Sequence, residues 1–299
     1  MCGKWTLPLN IDSRNIARAG PIWRILAMRI RALGHLLFAI GLAGLGVLSV
    51  GSGDFAYTWQ PVPEWVSGRA SLALVSGLLL IGLGLGMLLK RTARASTLVM
   101  TIYLTAWVLV LQSPRVAHAP TNVGSWLGFC ENLILVCGGW TLFLCLARSR
   151  HTLRSKYLID PLVPRLLFGA SCIVLGLSHF VYVDGTAAMV PAWLPDHVFF
   201  AYLTGAGHFA AGLAILLGVV PRLAATLEAS MISIFVLLLH LPGVVSAPAS
   251  RLQWTMLFVA SALAGAAWVV AGSLRAFSWG WAASSLDRTE ETLNAENSR

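Results

Sequence analysis

The sequence predicts an all-α integral membrane protein: eight transmembrane helices forming two parallel-repeated four-helix bundles. Three observations predict it. Apolar residues come in bilayer-length blocks, the chain repeats itself, and the basic residues sort to one side. Of the 299 residues 57% are apolar and 11% charged, and the mean hydropathy is +0.76. A soluble domain carries about 25% charged residues, so that class is excluded.

The apolar blocks fall at 30–50, 71–89, 96–112, 126–146, 163–182, 198–218, 223–241 and 253–273. Each approaches the roughly 20 residues that span a hydrocarbon core. In lipid every backbone polar group must be paired internally, so blocks of this pattern are helices. The first block starts too late and runs too long for a cleavable signal, whose apolar region is about 7–15 residues. Cys2 lacks the preceding apolar region of a lipoprotein signal.

The repeat appears when residues 63–140 are moved along by 128 positions. Pro63, Trp65, Gly77, Gly84, Arg94, Pro114, Trp126 and Trp140 then meet Pro191, Trp193, Gly205, Gly212, Arg222, Pro242, Trp254 and Trp268. Upstream the offset is 130, and Leu37, Phe38 and Gly46 meet Leu167, Phe168 and Gly176. These residue types are hard to exchange in apolar helices and turns. A unit of roughly 110–115 residues therefore occurs twice. Each unit has an even number of spans, so both copies point the same way, unlike the inverted repeats of many transporters.

Charge sets the orientation. The loops expected on one side hold 18 of the 21 basic residues, and the alternate loops hold Arg69, Arg115 and Arg251. The positive-inside rule then puts both termini in the cytoplasm of a bacterial inner-membrane protein. The net charge of +9 thus marks topology and not a nucleic-acid partner.

Residues 1–25 read as a basic cytoplasmic lead with a proline kink at Pro21. Residues 26–147 form the first, diverged repeat. In it His35 stands among Arg29 and Arg31 and is expected at the interface. Gly82, Gly84 and Gly86 read as packing glycines. Glu131 is an isolated acid on the fourth span. Residues 148–162 are a polar linker, 163–275 the second repeat, and 276–299 a polar tail too poor in apolar residues to fold. Loops 51–70 and 183–197 carry Trp and Pro. They fit an interfacial aromatic belt or a re-entrant cap over a cavity. Cys130 and Cys137 share a helix face but stand about 10 Å apart along it, too far to bridge, and are expected to be inert.

Polar groups inside a membrane are costly and functional by default. The second repeat has His208 where the first has Leu80, His240 where it has Gln112, and His179 where it has Ser49. His208 shares a face with Gly205 and Gly212, and small residues face neighbouring helices, so His208 is expected to point into the bundle. Counted along the spans, Glu228 lies about 9 Å from the cytoplasmic side. His208 lies near the midplane, and His179 and His240 lie near the outer surface. If they converge they form a polar ladder, flanked by Asp184 and His197. Each also has a simpler reading: an imidazole bonded to a neighbouring carbonyl, or Glu228 paired with Arg222 or a Ser. No His-x-x-x-His or Glu-x-x-His pair occurs on a span, so no metal or haem site is predicted. No nucleotide or nucleophile motif is present.

The second repeat resembles the DoxX-like family of small bacterial four-helix membrane proteins. The resemblance rests on Gly176 with His179-Phe180, Pro191-x-Trp193-x-Pro195, Thr204-Gly205 with His208, Arg222-x-Ala224-Ala225 and His240-x-Pro242. It implies a membrane subunit of a redox system, since the family name comes from a subunit linked to thiosulfate and quinone oxidation. The expected ligand is a quinone or another small apolar molecule in the second bundle, and the expected partner a soluble redox protein. His208 and Glu228 would exchange protons with it, and His179, Trp193, Gly205, Gly212 and His240 would line its site. The rival reading is a non-enzymatic transporter, lipid-binding protein or scaffold using the same cavity. Because His208→Leu copies the first repeat, it is expected to keep the fold.

Overall fold

The computed structural model describes residues 21–56, 59–148 and 162–274. The lead before Pro21, nearly all of the linker and the tail lie outside the described residues. Every regular element among those residues is helical. The first half comprises α1 (Pro21–Ser52), α2 (Arg69–Leu88), α3 (Ala93–Trp107), α4 (Ser113–His118) and α5 (Val123–Arg148). The second comprises α6 (Leu162–Val181), α7 (Val183–Met189), α8 (His197–Leu217), α9 (Pro221–Phe235), α10 (Leu241–Ser246) and α11 (Arg251–Ser273). Among the described residues eight stretches are long and apolar enough to cross a membrane, as the sequence predicts. The described part of α1 starts at Pro21, so the kink expected there lies at the edge of the described residues.

Two spans are longer than expected. The third runs to His118 and the seventh to Ser246, past Pro114 and Pro242. A proline removes one backbone donor and crowds the carbonyl four residues earlier. Here each is preceded by a π-helical turn, Val108–Gln112 and Val236–His240, which loosens the ladder so that the helix continues. The Ser113 hydroxyl also donates to the Val108 carbonyl at 2.9 Å. The two π-turns sit 128 positions apart. So do the Trp126 and Trp254 indoles, which each donate at 2.9 Å to the carbonyls of Pro120 and Pro248.

Glycines set the closest helix contacts. A Cβ on Gly46 would lie 2.5 Å from the Gly77 carbonyl oxygen, and one on Gly176 would lie 2.7 Å from that of Gly205. The α1–α2 and α6–α8 crossings are thus built alike. Gly84 and Gly86 are packed in this way, but a Cβ on Gly82 would meet nothing within 4 Å. Gly82 faces outward and is not a packing glycine; its spacing alone did not reveal on which side of α2 a neighbour lies.

Neighbouring helices in sequence pack together, and the fourth span of each half also packs on the first span of the other. α5 lies against α6, α11 lies against α1, and α5 and α11 touch each other. Gly138 of α5 seats on Ala266, while Gly34, Gly41 and Gly44 of α1 seat on Trp268, Ala262 and Phe258 of α11. The most apolar stretches of α5 and α11 are accordingly the most buried, with 67% and 72% of their residues buried, against 17% for that of the α9–α10 span. The halves share one core.

His35 is buried among the helices, at 3% exposure. It reaches the backbone of Met87 at the end of α2. At the corresponding place Arg165 donates to the Ile215 carbonyl at 3.1 Å, near the end of α8. Donors from the first span thus serve carbonyls at the negative end of the second span in both halves.

The loop after α1 folds inward. Trp59 is 4% exposed, and its ring meets Trp107 edge-on at 5.1 Å. The Gln60 amide donates to Ser76 at 3.1 Å. Asp54 pairs with Arg69 at 2.8 Å and with Arg251 of α11 at 3.6 Å. Burial alone would raise the Asp54 carboxyl pKa; the Phe55 N–H and the two arginines outweigh it and hold the carboxyl below its usual range. This loop is therefore partly a cap, while Trp65 is 82% exposed and fits the aromatic belt.

Candidate functional site

The polar cluster of the second half is built on the α6–α8 crossing. Gly205 brings α8 so close to α6 that a Cβ there would lie 2.8 Å from His179 Cβ. Two turns on, Gly212 packs on the Gly169 carbonyl, with a Cβ distance of 2.5 Å. His208 stands between these glycines on the same face, and α9 delivers Glu228 from the other side.

The two side chains meet. His208 Nδ1 and Glu228 Oε1 are 2.6 Å apart, and the residues are 2% and 1% exposed. Glu228 is thus partnered by His208, not by Arg222 or a serine. Its other oxygen, Oε2, is buried with no partner at full hydrogen-bond geometry, and the Cys172 thiol is a polar neighbour of the carboxyl. His179 joins from α6. Its ring stands edge-on to that of His208, with centroids 5.0 Å apart, and Phe235 walls both rings. His179 Nδ1 is 2.9 Å from Thr204 Oγ1. The Thr204 hydroxyl also lies 2.8 Å from the Phe200 carbonyl and 3.1 Å from that of Ala201, so the donor at the His179–Thr204 contact depends on the imidazole tautomer.

This arrangement sets three titratable side chains in succession. His179 is only partly buried and lies near the end of α6. Next to it comes His208, and then the enclosed Glu228. The first half has no counterpart: Leu80 and Met100 stand at the places of His208 and Glu228, and both are fully buried.

The remaining predicted residues lie elsewhere. Trp193 is 70% exposed in the loop before α8. Gly205 and Gly212 are helix contacts, and Asp184 is exposed. His240 stands 12 residues beyond Glu228, about 18 Å along the helix. It lines a separate cavity of about 140 Å³ between the halves, with Trp59, Gln112, Glu131 and Thr255. The sequence carried a signal for this second place: His240 aligns with Gln112, and Glu131 is an isolated acid on an apolar span.

Eight apolar spans around a shared core, with a buried acid–imidazole pair, define a multi-pass helical membrane protein. Residues 161–241 match the family model described as DoxX, so the second half of this multi-pass membrane protein is similar to that family. The match takes in α6 through the second π-turn, and so includes His179, His208 and Glu228. No curated protein and no solved structure matches the chain.

Proposed function

We propose that the chain is a bacterial inner-membrane subunit of a redox system, whose second half exchanges protons with a small apolar, quinone-like ligand. The observation that supports it is the 2.6 Å His208–Glu228 pair. Reducing a quinone takes two electrons and two protons. A soluble redox partner would supply the electrons, and the pair would supply protons relayed through His179. A neutral imidazole with a free ring nitrogen can take up a proton and release one. His179 is the partly accessible member, and an apolar ligand dissolved in the bilayer would approach it. The two halves are read as parallel copies with both termini in the cytoplasm; the shared glycine contacts and π-turns support the first point, and the distribution of basic residues supports the second.

The test is mass spectrometry of what co-purifies in mild detergent, combined with quinone-dependent redox activity in membranes. Bound quinone and an activity lost in Glu228→Gln support the proposal. Bound lipid or solute with no quinone-dependent redox change overturns it in favour of a non-enzymatic transporter, lipid-binding protein or scaffold.

A further inference from the structure

We propose that the cavity between the halves binds a compact organic cation about one ring in size. The cavity is separate from the His208–Glu228 pair. Its volume of about 140 Å³ is close to the roughly 150 Å³ that accommodates benzene in an engineered apolar cavity. Its lining is different in kind, because polar groups from both halves converge there. α5 contributes Glu131, the π-turns contribute Gln112 and His240, and α11 contributes Thr255.

Glu131 is the acid among the lining residues. It makes no ion pair or hydrogen bond with any described residue, nor does the His240 side chain. Glu131 is partly buried, and a carboxylate held unpaired among apolar helices is costly. A cationic ligand removes that cost, and Trp59, an aromatic residue of the kind that attracts cations, lines the same cavity. Gln112 is held in place: its amide donates to the Trp59 carbonyl at 3.2 Å, and its Oε1 accepts from Arg115 at 3.2 Å. That guanidinium is the opposing fixed charge and limits the ligand to one positive group, placed at the Glu131 end. The inward-folded loop, tied to α11 by Asp54 and Arg251, closes over Trp59.

The experiment titrates the detergent-purified full chain with benzylammonium, and with uncharged benzyl alcohol as the size-matched control, followed by calorimetry. Saturable binding of one benzylammonium per chain is expected, at least tenfold tighter than any binding of benzyl alcohol. Glu131→Gln should weaken benzylammonium binding at least tenfold. Absence of saturable benzylammonium binding to the unaltered protein, as for a carboxyl neutralised by a proton in a water-filled cavity, overturns the proposal. Equal affinity for the two probes also overturns it, and needs no variant to fold. Unchanged affinity in Glu131→Gln overturns it as well.

Discussion

Replacing His208 by leucine should destabilise the protein strongly, and a second replacement should rescue it. The first half shows the apolar solution to this position, Leu80 beside Met100, both fully buried. Copying only Leu80 leaves Glu228 in a site where the residue is 1% exposed and Oε2 already has no partner at full hydrogen-bond geometry. Removing one member of a buried pair costs about 3–5 kcal/mol, whereas replacing both by well-packed apolar residues is often neutral or stabilising. His208→Leu should therefore lose about 3–5 kcal/mol, contrary to the expectation from the repeat alone. His208→Leu with Glu228→Met should recover to within about 1–2 kcal/mol of the parent, the range left by imperfect repacking. Equilibrium unfolding in mixed micelles, run as a double-mutant cycle, reads both values. If the single variant is as stable as the parent, or the double variant is no more stable than the single, the pair does not carry the energy assigned to it.

Three further outcomes follow from the same contacts. Gly212→Ala must push α8 from the Gly169 carbonyl, 2.5 Å from the new Cβ, whereas Gly82→Ala meets nothing; thermal unfolding should show a loss of about 1–3 kcal/mol for the first, as for overpacking, and less than about 0.5 kcal/mol for the second. The Asp54 carboxyl has a lowered pKa, so the stability its pairing contributes is present above the ordinary carboxylate pKa and is lost as pH falls through the depressed value. Acidification below about pH 4 should then release the loop, seen as a change in tryptophan fluorescence that Asp54→Asn removes. Reporter fusions after Lys156 and after Arg299 should both read cytoplasmic; a periplasmic reading for either would refute the assigned orientation.

The sequence alone predicted the eight spans found among the described residues, together with a duplication in register and a height for each polar group along its own helix. Those properties follow from one helix at a time: hydrophobic length fixes a span, and about 1.5 Å per residue fixes height. It also placed His208 on a glycine-lined face, and that face proved to look inward. Tertiary structure decided what lies across from each face. Glu228 could have met Arg222 or a serine; the approach of α9 to α8 gave it His208. His240 was expected to join the ladder, yet its side of the helix looks toward α5 and α11. Gly82 had the spacing of a packing glycine but no neighbour. The exchange of fourth spans between the halves left no mark in either repeat, because α5 and α11 carry small and apolar residues that can pack on more than one partner. Periodicity gives a residue's height and its angle on its own helix; only lateral packing sets the rotation of one helix against the next, and with it which polar groups touch.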